Sequence, residues 1–149
     1  MNSVGAAVPG PFSMKRLHAV DAALRARVVA TLATALAGDA DVAFAFLYGS
    51  FVDAEAFHDV DVGVYLRTEQ PGHLYGSHLA QRLSELVGYP VDARVLNGAP
   101  VSFLFHVLRG QILLSRDDDL LGDVMQRTMQ RYLDIAPLLR RSAREAFAS

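Results

Sequence analysis

An α/β domain, with a small mixed sheet flanked by helices, is predicted by three features of this sequence. Helix-period and strand-period segments alternate, every strand candidate is short, and no segment repeats another. The 149 residues are one domain's worth, a size that buries roughly 70% of the unfolded surface without disulfide or structural metal. With 52% apolar and 20% charged residues the chain is neither disordered nor fibrous, and without cysteine it has no disulfide scaffold or thiolate chemistry. Its 14 basic and 16 acidic residues are interspersed, which argues against the broad basic surface that duplex nucleic acid requires. No apolar run reaches the roughly 18 to 20 residues of a membrane span, and residues 1–12, broken by Pro9-Gly10-Pro11, do not read as a signal peptide. A cytoplasmic protein without membrane attachment is expected.

Residues 1–12 are rich in Gly, Pro and Ala and read as a disordered lead-in, which leaves 13–149 as a single domain. Ser13 is placed to cap a first helix to about Ala37, because Leu17, Val20, Leu24, Val28 and Leu32 recur at spacings of three and four, and Gly38 ends it. Residues 42–48 are a short, aromatic-rich apolar run stopped by Gly49-Ser50, the pattern of a buried strand. Residues 59–66 begin in polar/apolar alternation, a strand with one face in the core. A helix at 74–87 follows with Leu79, Leu83, Leu86 and Val87 inward and Gly88 at its end. A third strand occupies 90–96, and the turn Asn97-Gly98-Ala99-Pro100 leads into a helix carrying Phe103, Leu104, Val107 and Leu108. Residues 111–115 form a short fourth strand. Asp117, Asp118 and Asp119 favour a helix start, and Leu121, Val124, Met125, Met129, Tyr132, Ile135 and Leu139 make an apolar stripe, with both methionines as core packing and Pro137 as a possible kink.

A strand that buries Val60, Val62 and Val64 must place Asp59 and Asp61 together on its other face, about 7 Å apart or less. Like charges so placed repel unless a cation lies between them, and a hard oxygen pair suits Mg²⁺, which one or two carboxylates hold together with substrate phosphates. Just upstream, Tyr48-Gly49-Ser50 provides a turn in which an anion can approach backbone N–H groups and a serine hydroxyl. Asp92 lies early in the next strand. If that strand neighbours the second, three carboxylates converge beside a phosphate-binding turn, as metal-assisted phosphoryl or nucleotidyl transfer requires. The histidines have no metal-ligand spacing. His58, beside Asp59, is read as a solvated loop residue, with orientation of a carboxylate as the other option.

The run Phe46-Leu47-Tyr48-Gly49-Ser50, then Asp59-Val60-Asp61-Val62, then Val91-Asp92, resembles the signature of the DNA-polymerase-β-like nucleotidyltransferase superfamily. Segments 95–100, 108–114 and 131–134 are similar to later parts of its minimal (MNT) members, which act as antitoxins beside HEPN-domain toxins. The resemblance spans about residues 40–141 and implies a nucleotidyltransferase-like fold. It further implies Mg²⁺-dependent transfer of AMP from ATP to an acceptor hydroxyl, in that group a tyrosine of the HEPN partner. On this reading Asp59, Asp61 and Asp92 are the catalytic and metal-binding carboxylates, with Asp92 also the base candidate, and Gly49 and Ser50 bind the nucleotide. The chain departs from the family in residues 51–58, a shortened loop with Asp53, Ala54 and Glu55 at usually basic and glycine positions. An acidic loop beside a triphosphate calls for compensating charge from Arg67, Arg94 or a partner. The alternative reading is a catalytically silent antitoxin or regulatory subunit that neutralises its partner by binding. An antibiotic-modifying enzyme is disfavoured, since 149 residues leave little chain for a separate acceptor domain.

Overall fold

The computed structural model describes residues 16–148. The expected lead-in 1–12 and the cap Ser13 lie outside the described residues. In chain order the elements are β1 (His18–Ala19), α1 (Ala22–Ala37), β2 (Val42–Tyr48), α2 (Ser50–Asp53), β3 (Ala56–Phe57), β4 (Val60–Leu66), α3 (Gly72–Val87), β5 (Val91–Val95), α4 (Val101–Leu108), β6 (Gln111–Ser115) and α5 (Asp118–Ala148).

The main sheet has the order β5-β4-β2-β6. β2 is antiparallel to both neighbours, whereas β4 and β5 run parallel and are joined through α3. A parallel pair needs such a crossover, so the helix between the two aspartate-bearing strands follows from their direction. One face of the sheet, with Ala45, Leu47, Val60, Val62 and Val64, packs on Val28, Leu32 and Leu36 of α1 and Leu79, Leu83 and Val87 of α3. The other face, with Phe44, Phe46 and Tyr48, packs with Leu96 on Leu104 and Val107 of α4 and Leu121 and Val124 of α5. Every residue of β2 is buried, which explains its unbroken apolar run.

Side chains close the open ends. Asn97 pairs with Leu66 as a strand residue would, its Nδ2 donating to Leu66 O at 2.9 Å and its Oδ1 accepting from Leu66 N at 2.8 Å. Arg116 donates to Asp39 O at 2.6 Å, to Val42 O at 2.9 Å and to Ala37 O, satisfying carbonyls at the end of α1. Asp117 Oδ1 accepts from Leu120 N at 3.0 Å, the N-terminal carboxylate expected for the last helix.

Three expectations are corrected. The first helix starts at Ala22, with Asp21 as its cap accepting from Leu24 N at 2.8 Å. Residues 18 and 19 pair instead with β3, His18 opposite Phe57 and Ala19 opposite Ala56, and Leu17 is 65% exposed. A long-range pairing thus overrides a periodicity that continued by chance. Leu86 is exposed on α3, because Leu79, Leu83 and Val87 already fill the sheet-facing stripe. Met125 and Met129 are 39% and 48% exposed, since α5 meets the domain through a narrower seam in which Thr128 is buried between the turns of Val124 and Tyr132. The short elements β1, α2 and β3 have no separate signal in the sequence. α5 continues through Pro137, and its 31 residues extend about 46 Å at a helix rise.

Gly76 is where α3 crosses β5: a Cβ there would lie 2.8 Å from Ala93 O, whereas one at Gly122 on α5 would meet nothing within 4 Å. Gly76→Ala should therefore destabilise by about 1–3 kcal/mol through overpacking, and Gly122→Ala should stabilise by about 0.5–1 kcal/mol through helix propensity. Urea unfolding of both variants checks the opposite signs.

Candidate nucleotidyl-transfer site

The register lines up three side chains across three strands. Tyr48 of β2 is opposite Asp61 of β4, and Asp61 is opposite Asp92 of β5. Cross-strand partners share a face, and neighbouring strands lie about 4.8 Å apart, so Tyr48, Asp61 and Asp92 form a row. The row lies on the α4 side of the sheet, where the Tyr48 ring meets Phe103 at 5.8 Å and His106 at 5.6 Å, both edge-on. Asp59 sits just before β4 and is half-buried, as are Asp61 and Asp92. The expected neighbourhood of the second and third strands is thus present, and it brings Asp61 and Asp92 side by side.

Gly49 follows Tyr48 with φ 82° and ψ −163°, and Ser50 opens α2 and is exposed. A Cβ at Gly49 would overlap Asp61 Oδ2 and lie 3.2 Å from Asp61 Cγ. Glycine is required here twice over, by the positive φ and by the carboxylate packed against it. The turn and the carboxylate row are therefore in direct contact.

The electrostatics agree. Burial raises the Tyr48 phenol above its ordinary range, the charges of Asp61 and Asp92 raise it further, and Arg94 partly offsets them. Arg94 is held above its usual value chiefly by its hydrogen bond to Asp92, Nε donating to Oδ2 at 3.2 Å, and by that carboxylate's charge. Its guanidinium also lies 5.7 Å from the Phe103 ring centre. Of the two cations proposed to balance the acidic loop, Arg94 is at the site, whereas Arg67 is at the other end of β4, about 20 Å from Asp61 by strand rise. His58 is exposed, and its Nδ1 pairs with Arg16 O at 2.9 Å, which ties it to the chain before β1.

Sequence reasoning missed Arg25. From α1 it donates to Phe51 O and Ala54 O, both at 3.1 Å, with its charge 5.9 Å from the Phe51 ring centre. It pins the shortened loop that carries Asp53 and Glu55 and supplies a cation from outside the motif. Only the fold brings residue 25 to residues 51 and 54.

Among the described residues no group of three or more His, Cys, Asp or Glu stands in metal-holding geometry. Asp92 accepts from Arg94 Nε at its Oδ2; a carboxylate has a second oxygen, so this pairing is compatible with ligation of a cation beside Asp61. The donors available are carboxylate oxygens alone, a hard set that fits Mg²⁺ and not a softer ion.

A four-stranded mixed sheet, a glycine-serine turn and an aspartate on each of two adjacent strands define a nucleotidyltransferase-type fold. Residues 30–119 match the Polymerase beta, Nucleotidyltransferase family, and the chain belongs to that family. No curated protein matches the chain. Among solved structures, a chain of the tri-AMPylated Shewanella oneidensis HEPN toxin in complex with MNT antitoxin superposes with a TM-score of 0.60 at 15% identity, covering 80% of this chain and 98% of its own. The toxin-antitoxin MntA-HepT gives 0.56 at 15% identity, over 83% and 99%. A toxin-antitoxin with AMP-PNP gives 0.59 at 16% identity, over 80% and 98%. At these identities the likeness is one of fold.

The raised phenol of Tyr48 has a consequence for stability. Its native pKa exceeds the unfolded value near 10, so its contribution is fully present below about pH 10 and is lost as the unfolded chain ionises above it, by about 1.4 kcal/mol per pH unit. Tyr48→Phe should flatten the alkaline limb of a stability-against-pH curve measured by urea unfolding between pH 8 and about pH 12.

Proposed function

We propose that this protein transfers AMP from ATP to a tyrosine hydroxyl of a HEPN-type partner protein, and so acts as an antitoxin in the cytoplasm. The observation that carries the proposal is the Tyr48–Asp61–Asp92 row in contact with the Gly49-Ser50 turn. Two fold relatives support the chemistry by what they contain, one an AMPylated HEPN toxin beside an MNT antitoxin and the other AMP-PNP.

In this reading the Gly49 backbone and the Ser50 hydroxyl hold phosphate oxygens of ATP. Asp59, Asp61 and Asp92 would hold Mg²⁺, which would supply neutralising charge for the α-phosphate and the departing pyrophosphate. The acceptor oxygen bonds to the α-phosphorus, the bond from that phosphorus to the bridging oxygen of pyrophosphate breaks, and the hydroxyl proton passes to the Asp92 carboxylate. Arg94 and Arg25 offset the negative charge gathered by the carboxylates, the acidic loop and the nucleotide.

The end of α5 supports association with a protein. Leu133 and Leu138 are each 62% exposed, Leu139 45% and Phe147 89%, apolar side chains that a protein partner would cover. The same surface, with the acidic residues Asp53 and Glu55, favours the second reading, in which the protein neutralises its partner by binding alone.

Asp92→Asn separates the readings. It should keep most Mg·ATP affinity, measured by calorimetry, while lowering radiolabelled AMP transfer to a purified HEPN-type partner by about 10² or more. Gly49→Val should remove nucleotide binding itself. Partner neutralisation that survives both substitutions intact would establish the binding-only role.

A further inference from the structure

A cleft of about 1060 Å³ opens across the outer edge of β5, between that strand, the N-terminal turns of α3 and the chain that leaves β4. It reaches both sides of β5, with Asp92 and Arg94 on one and Ala93 and Val95 on the other, and its rim includes Thr68, Gln70, His73 and Ser77. Asp92 is therefore common to this cleft and to the carboxylate row, while Gly49 and Ser50, whose turn abuts the row at Asp61, do not line the cleft. Across the row the Gly49-Ser50 turn adjoins Asp61 and the cleft adjoins Asp92, so donor and acceptor have separate places to bind.

The size and charge of the cleft indicate what it takes. Its volume is at the upper limit of small-molecule pockets, roughly 300–1,000 Å³, and it is an open trough at a sheet edge rather than an enclosed cavity. Its cation is Arg94, and its acidic groups are Asp92 and Glu69. Arg94 is 61% exposed on its side chain, with the Asp92 carboxylate 3.2 Å away as its anionic partner. Arg94 uses its Nε on Asp92, and its exposed guanidinium presents further N–H donors that a carboxylate on the incoming chain can take.

We propose that this cleft is the acceptor groove: it binds an extended peptide segment whose hydroxyl-bearing residue reaches Asp92 and whose flanking acidic side chain pairs with Arg94. The proposal rests on the adenylyl-transfer reading, since it assigns Asp92 the acceptor side of that reaction. Specificity then comes from charge next to the acceptor as well as from docking elsewhere on the partner.

Short fluorescent tyrosine peptides flanked by glutamates, and the same peptides flanked by lysines, test this by anisotropy in Mg²⁺ and AMP-PNP. The glutamate peptide should bind at least about tenfold more tightly, a preference that Arg94→Lys keeps and Arg94→Glu reverses. Ser77→Trp, which fills the trough from the exposed side of α3, should abolish binding of both peptides. Equal binding of the two peptides, no binding of either, or a preference untouched by Arg94→Glu overturns the groove. Calorimetry of AMP-PNP on the same samples reads the nucleotide site separately: failure there removes the adenylyl-transfer reading, whereas peptide results on nucleotide-bound protein bear on the groove alone.

Discussion

The pairing that sets Asp61 between Tyr48 and Asp92 is the constraint on which the rest of the molecule depends. It holds β2 and β4 antiparallel so that the end of one meets the start of the other, and it holds β5 parallel to β4 so that two carboxylates fall on one level. The parallel pair imposes α3 as its crossover, and the antiparallel pair delivers Gly49 against the Asp61 carboxylate. A shift of one residue in either register would send an aspartate into the apolar side packed on α1 and α3.

That arrangement gathers negative charge at a half-buried sheet end, where repulsion is least screened. The described structure meets it with cations drawn from distant parts of the sequence. Arg94 pairs with Asp92 and lies over Phe103, and Arg25 crosses from α1 to the carbonyls of the acidic loop. A buried tyrosine adds no charge of its own, because its phenol stays protonated where a free one would begin to ionise.

Two surfaces leave the core with different chemistry. The cleft beside β5 carries charged residues and touches the carboxylate row at Asp92, whereas α5, joined to α4 through the stacked rings of Phe105 and Tyr132 at 3.7 Å, exposes Leu133, Leu138, Leu139 and Phe147 among the charged residues of its outer turns.

The local pattern of the chain determined much of this. The apolar run of β2, the alternation of β4, the Gly49-Ser50 stop and the caps at Gly88 and Asp117 were legible because each depends on residues within a turn or two of one another. The motif residues Gly49, Ser50, Asp59, Asp61 and Asp92 were legible for the same reason, since charges in a strand and a glycine at its end conflict with local propensity and so stand out. Tertiary structure decided what local pattern could not. It ended the first helix pattern at Asp21 by pairing residues 18 and 19 with β3, left Met125 and Met129 outside the narrow α5 seam, and chose Arg94 over Arg67 as the cation at the site. It also joined Arg25 to a loop 26 residues away in sequence. In each case the deciding energy is a contact between segments far apart along the chain, and periodicity and spacing carry no record of such contacts until the sheet register has been set.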